Sequence, residues 1–580
     1  MQLHTFHIPV MGLGYTIDTP LNVARFGISS VVSIIEDDLV EQMRAVHAQR
    51  QGEVYVPIPK ADVDHRARRI TAYLNLLHRT VQRQVASLRA AAFDTGSEID
   101  RYFELLPASS PARGLFDRMR WSPAGHERSA LQRALRDHVA AGAIDVNIMT
   151  KCDRINYDGA GAALPAEYAD AHAALRGFAQ SDLSSSVVFS AGLNPRLYTY
   201  CESFPDFFPD AAGRLRKKIT LKVSDYRSAA VQGRVLAKKG LWVSEFRIES
   251  GLNCGGHAFP TDGVLLGPIL EEFRNERAAL AAQLLGVCNR ALGAKGYPTF
   301  PDAPGTKLTV QGGVGTAAEH AFLMERYGVD GVGWGSPFLL VPEATNVDDA
   351  TLRELTAATP DDYVLSDASP LGVPFNNFRR SSSEAQRNRR IREGRPGSPC
   401  YKGFLAFNTE FTPAPICTAS RQYQHAKLKQ LRTHTTPDEA LSDETETVTA
   451  KDCLCEGLGA AVLLKHGLRP ANGLSAVTIC PGPNLAYFSR VSSLREMVDH
   501  IYGRGNVLND RPRPHMFVNE LTLYVDYLKR QQAKGRDVRT FAANLLDGIA
   551  YCESLDLPGT AEPLAAIARE VADLPASIVG

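Results

Sequence analysis

Five cysteines, Cys400, Cys417, Cys453, Cys455 and Cys480, fall within 81 residues of a 580-residue chain. Cys453-Leu-Cys455 is a C-x-C pair, Cys400 follows Ser-Pro, Cys417 sits in PAPICTAS, and Cys480 precedes Pro-Gly-Pro. Proline and glycine next to a cysteine favour irregular backbone that turns thiolates and amides toward a metal. Four of the five could hold a [4Fe-4S] cluster, or a structural zinc with tetrahedral thiolates. There is no tight C-x2-C-x2-C run, so ordinary reduced cysteines are the third reading. Glycines form a second group: Gly312-Gly313, Gly315-Thr316 and Gly333-Trp334-Gly335-Ser336. Consecutive glycine amides can cradle a phosphate without formal positive charge, and a helix opening at Thr316 adds an anion-binding end. His257, in Gly255-Gly256-His257, is the residue type best suited to exchange a proton near neutral pH. Seven arginines lie between Arg379 and Arg395. They read either as a grip on a phosphorylated substrate, carrier arm or RNA, or as a solvated, locally extended, ion-paired segment.

These groups need a scaffold. β-rich runs at 7–14, 29–35, 143–150, 185–192, 218–225, 241–251, 307–313 and 329–340 alternate with helical sequence. Eight is the number at which a parallel sheet closes into a packed barrel, so the expected fold class is α/β, a (β/α)8 TIM barrel. The alternative is an open doubly wound sheet. Gly12-Leu13-Gly14 hints at a dinucleotide turn, but Ile17 stands where the third glycine of that turn belongs. The expected organisation is a barrel from 1–36 and 141–345, a helical insertion at 37–140, a Cys- and Arg-containing extension at 346–495 and a helical cap at 496–580. Polar, acidic 433–451 reads as a mobile surface loop.

Composition bounds the function. Hydrophobic residues are 44% and charged residues 22%, ordinary for a globular protein and not for a disordered one. Lys+Arg and Asp+Glu are both 64, so no global field draws the chain to nucleic acid or acidic membrane. No apolar run is long enough to span a bilayer, and the start lacks a secretory pattern, which leads to a cytoplasmic expectation with no membrane partner. Ten cysteines are too few for a disulfide scaffold.

In a parallel barrel the chemistry sits at the carboxyl ends of the strands. There the succession IPVMGLG, DVNIM, VVFSAG, GGHAF, VQGGVGT and GVGWGSPFL resembles the nitronate monooxygenase family and its relatives, FMN-dependent barrels that include flavin enoyl reductases. The resemblance covers about residues 5–345 apart from the helical insertion. It implies that Met11 and Gly12 lie against a flavin ring and that Asn147 and Lys222 address the ring edge or ribityl chain. It implies further that Gly312, Gly313, Gly335 and Ser336 hold the FMN phosphate and that His257 faces the substrate side. Cys254 reads as a redox thiol beside the flavin or as a packed cysteine.

The leading expectation is an FMN-dependent oxidoreductase, a monooxygenase or reductase. It would exchange hydride or electrons with a small or carrier-bound organic substrate, with an Fe-S cluster as electron relay. A redox partner follows from that reading, and a homo-oligomer is left open. One alternative is a flavin-free, phosphate-binding barrel enzyme with Glu249 and His257 as its acid-base pair. The other is a non-catalytic scaffold that binds RNA or a partner through the Arg-rich segment.

Overall fold

A computed structural model describes residues 3–158, 160–190, 192–253, 255–258, 261–433 and 438–574. Eight parallel strands close into a barrel in sequence order. They are β1 (Phe6–Ile8), β2 (Ser29–Ser33), β3 (Ile144–Met149), β4 (Ser186–Ser190), β5 (Lys218–Val223), β6 (Val243–Glu249), β7 (Lys307–Gln311) and β8 (Gly331–Gly333). The barrel closes where β1 pairs with β8, Phe6 opposite Val332 and His7 opposite Gly333. Only glycine fits at that seam: a β-carbon on Gly333 would lie 2.5 Å from Gln311 Cβ and 3.0 Å from His7 Nε2. Each strand is shorter than its sequence run, because residues such as 9–14 and 334–340 leave the ladder as rim segments. The chain is a (β/α)8 barrel.

Polar groups meet across the lower barrel. Arg247 Nε donates to Glu245 at 2.8 Å and Thr309 Oγ1 donates to the same carboxylate at 2.6 Å. All three residues are buried, so these bonds offset the desolvation of a charged core.

Between β2 and β3 run five helices, Asp37–Arg50, His65–Ala90, Glu98–Leu105, Pro111–Trp121 and His126–His138. The long second helix is locked to the barrel by buried charge. Arg66 pairs with Asp37 at 3.0 Å and with Asp170 at 3.1 Å, and Arg69 reaches Asp37 at 2.8 Å. Its apolar side crosses the helix Asp170–Ala179 so closely that a β-carbon on Gly177 would sit 2.7 Å from Ile70.

After the barrel come an antiparallel hairpin, β9 (Tyr363–Ser366) and β10 (Phe375–Phe378), and a series of helices. Two expectations are corrected here. The arginine run is not extended: Ser382–Arg392 is a helix, capped by Ser381 Oγ accepting from the Glu384 N–H. Pairs such as Arg387–Glu384, at 2.8 Å, line its surface. Within 433–451, Asp438–Thr449 is a helix laid against the helix Arg421–Thr433, so tertiary packing overrides a polar composition. Residues 434–437 and 575–580 lie outside the described residues.

The extension is bonded to the barrel rim. Tyr15 Oη donates to Thr478 O at 2.6 Å, Gly14 N–H to Leu458 O at 3.1 Å, and Gly251 N–H to Tyr524 Oη at 3.0 Å. Among the described residues, no helix is long and apolar enough to cross a membrane.

Several histidines are buried in neutral form. His4 contacts Phe26 O at 3.1 Å and Tyr502 Oη at 2.9 Å, and burial lowers its pKa to about 4. His320 accepts from Trp334 Nε1 at 3.1 Å and meets Thr5 Oγ1 at 3.0 Å, and burial lowers it to about 4 as well. A folded pKa below the unfolded value of 6.5 means that the unfolded chain binds the extra proton. The stabilisation is therefore complete above pH 6.5 and is lost as the pH falls toward 4. Each group contributes on the order of 3 kcal/mol. Urea unfolding at pH 7 and pH 4.5 should show this loss, and H320Q should flatten the pH dependence by one such share.

Candidate active site at the barrel mouth

A cavity of about 100 Å³ opens at the carboxyl ends of the strands. Its floor carries Asn147 from β3, Ser190 from β4, Lys222 from β5 and Glu249 from β6, with Gly12 and His257 on the rim. The extension supplies a largely apolar roof that includes Phe375, Phe404, Leu405, Leu454 and Leu458. The sequence expectation therefore brings Gly12, Asn147, Lys222 and His257 to one place.

Electrostatics single out one pair. Lys222 Nζ lies 2.7 Å from Glu249 Oε2, with side chains 6% and 8% exposed. Gln311 Nε2 donates to the same Glu249 oxygen at 3.3 Å and to Asn253 Oδ1 at 2.9 Å. Asn147 Oδ1 is buried and, among the described residues, accepts no hydrogen bond. An unmatched acceptor on a cavity floor is a place for a ligand donor. His257 Nε2 meets Ser369 Oγ at 2.7 Å. Burial first, then the charges of Lys151 and Lys222, lower its pKa to about 4, so the imidazole is neutral at physiological pH.

Asn376, which sequence reasoning missed, sets the position of His257. Its side chain donates to Gly251 O at 3.1 Å and Asn253 O at 2.8 Å, and its N–H donates to Gly256 O at 2.7 Å. The hairpin that carries Asn376 thus stitches down the loop after β6. Its partners lie more than a hundred residues away, and no local pattern announces them.

Met11 is not on the cavity. Its side chain is buried in the core and its N–H donates to Thr16 Oγ1 at 3.3 Å. Cys254 lies outside the described residues.

The expected phosphate end is corrected by geometry. The loops after β7 and β8 do converge, but the chain itself fills the space between them. A β-carbon on Gly312 would meet Leu252 O at 2.9 Å, and one on Gly313 would meet Leu252 Cδ1 at 2.5 Å. Ser336 Oγ accepts from the Gly482 N–H at 2.8 Å, and Gly335 O is engaged by the Phe338 N–H at 2.8 Å. At the start of the helix Ala317–Tyr327, the anion position is held by the Glu319 carboxylate. It accepts from the Gly315 N–H at 2.8 Å, from Arg513 Nη1 at 2.6 Å and from the Met516 N–H at 2.7 Å. Arg513 also donates to Gly313 O at 2.8 Å and Asn484 Oδ1 at 2.7 Å. A flavin phosphate does not fit there. The cavity is also smaller than the roughly 300–1,000 Å³ of sites that enclose larger ligands. The signal was present in the sequence, since Thr316-Ala-Ala-Glu319 has the spacing of a capping box.

The cysteines divide. Cys417 and Cys453 both lie within hydrogen-bonding reach of the Cys400 thiol, and Cys455 shares their neighbourhood. Cys455 also lines the cavity, as does Cys152. Cys480 is elsewhere, against Gly256.

Two measurements check the filled phosphate end. Added FMN should leave no flavin bound after gel filtration, read from the visible flavin bands of the denatured protein. E319A, which strands the buried Arg513 guanidinium, should lower unfolding free energy by about 3–5 kcal/mol.

No family model matches the chain, and no curated protein matches it. Among solved structures it is similar to the enoyl reductase domain of MlnA from the macrolactin biosynthesis cluster of Bacillus amyloliquefaciens. That likeness spans 73% of this chain and 94% of that one, at 13% identity and a TM-score of 0.34. At that distance the likeness carries no argument, and the barrel assignment rests on the strand ladder described above.

Proposed function

We propose that the barrel mouth is an active site for proton transfer on a small molecule with a carbonyl or carboxylate oxygen and an apolar body. The observation that carries this reading is the buried Lys222–Glu249 pair, 2.7 Å apart, on the same cavity as neutral His257. It takes up the acid-base alternative from the sequence, with Lys222 added as the positive group.

The roles follow from charge. Glu249 pairs with Lys222 at 2.7 Å, so the cation is not buried alone, where it would be costly. The ammonium stabilises an oxygen that gains negative charge in the transition state, and the enclosed site strengthens that interaction. Neutral His257 accepts the proton from the carbon next to the carbonyl. The C–H electrons move into the carbon–carbon bond and the carbonyl electrons onto the oxygen facing Lys222. Return of the proton reverses the step. Asn147 Oδ1 accepts from a hydroxyl or amine of the ligand, and Phe375 and Leu405 receive its apolar part.

The test is exchange of solvent deuterium into a panel of small 2-oxo acids and ketones, followed by proton NMR. Wild-type protein should catalyse exchange of at least one class. K222M should slow it by about 10²–10³-fold and H257N by about 10²–10⁴-fold. Exchange that is absent across the panel, or undiminished in both variants, overturns the reading.

A further inference from the structure

Four thiols from three separate stretches of chain meet above the roof of the cavity. Cys400 lies in the loop after the helix Ser382–Arg392, Cys417 just before the helix Arg421–Thr433, and Cys453 and Cys455 at the start of the helix Leu454–Lys465. Cys417 and Cys455 are buried and the other two are half-buried. None of the four is in a disulfide.

The surroundings of these thiols are built. Cys400 holds φ at +55°, a left-handed backbone that a side-chain-bearing residue adopts only where its surroundings over-determine it. The strand-like bridge Ser398–Ser420 ties the Cys400 loop to the Cys417 loop. There the Ser398 N–H donates to Ala419 O at 2.9 Å and the Arg421 N–H to Ser398 O at 2.8 Å. On the other side, Lys402 Nζ donates to Cys455 O at 3.2 Å and pairs with Glu36 at 2.6 Å. Cys453 is the N-cap of its helix and Cys455 its second residue, so both sulfurs lie at the positive end of the helix dipole. Beside the group, the Ser398 hydroxyl reaches the Cys453 sulfur, and the buried Arg421 Nε has no hydrogen-bond partner among the described residues. Each is a donor suited to sulfur or to a negatively charged cluster.

We propose that Cys400, Cys417, Cys453 and Cys455 bind a [4Fe-4S] cluster. This goes beyond the proton-transfer reading and does not depend on it. The four thiols are not gathered tightly about one point. Zinc bonded at about 2.3 Å to four sulfurs brings those sulfurs to within about 4 Å of one another. Among the described residues, no three of these thiols lie within 4.8 Å of one another, whereas Asp18, His47 and His466 do. A cubane is larger than one ion, and binding it would spread the Cys400–Cys417 and Cys400–Cys453 pairs, which lie within hydrogen-bonding reach here. Its net negative charge with four thiolates is met by Arg421 and the helix end. Because Cys455 also lines the cavity, the cluster would border the space that holds the ligand.

The experiment is iron and acid-labile sulfide analysis of the full chain, purified anaerobically and reconstituted with ferrous iron and sulfide. Electron paramagnetic resonance after dithionite reduction accompanies it. About four irons and four sulfides per chain are expected, with a reduced-cluster signal. C400S, C417S, C453S and C455S should each lose that signal, while C480S keeps it. Wild-type protein that takes up less than about one iron per chain, or that holds a single zinc in its place, overturns the proposal. So does loss of the cluster in C480S with retention in C417S. If a serine variant is unfolded by circular dichroism, the wild-type stoichiometry and its response to an iron chelator decide instead. Removal of the iron should lower the melting temperature.

Discussion

A guanidinium and a carboxylate, Arg513 and Glu319, hold the upper half of the molecule together. Each would be strongly destabilising if buried alone, and neither is more than a few per cent exposed. Brought together at 2.6 Å, they join the helix after β7 to a segment nearly two hundred residues later. Glu319 also takes the backbone donors of Gly315 and Met516, and Arg513 takes Gly313 O. One internal ion pair therefore meets the needs that a bound phosphate would meet in a barrel of this type. With its anion supplied from within, the rim at β7 and β8 becomes a structural joint, and the ligand space moves to the β1–β6 side.

That division orders the chemistry. On the open side stand Lys222, Glu249, Asn147 and His257, polar groups beneath an apolar roof. Lys222 and Glu249 satisfy each other, which keeps a cation available in a low-dielectric pocket without leaving it unpaired. The roof ends in Cys455, one of the four grouped thiols. The groups proposed to handle protons and one of the grouped thiols thus border one small space.

Much of the scaffold was legible in the sequence, because β-branched runs separated by helical stretches have few folds available to them. Seven of the eight strands fall inside the runs that predicted them, and β1 starts one residue before its run. Gly12, Asn147, Lys222 and His257 were placed on one rim by strand order alone, and the cavity contains all four. What was not legible depends on long-range contact. The filling of the glycine cradle needs Leu252, Gly482 and Arg513, none of which is near it in sequence. Met11 pointed inward because the rim turns at Gly12, whose φ is +53°. The arginine run formed a helix because acidic neighbours at helical spacing pair with it. Cys480 could not be separated from the other four by spacing, since the separation arises only when Gly482 and Asn484 bond to Ser336 and Val314 in the segments after β8 and β7.

The roof and the rim clamps have a consequence for how the protein is made. Tyr524 holds Gly251, and Glu520 holds the Leu266 N–H at 2.9 Å, so both ends of the loop after β6 are gripped by the helix Met516–Ala533, which is made long after the loop itself. The barrel strands are complete some two hundred residues earlier. Through that interval the nascent chain exposes an uncovered apolar mouth, the kind of surface on which chaperones act. A chain cut short before Met516 would carry every strand and still lack the clamps that close its pocket.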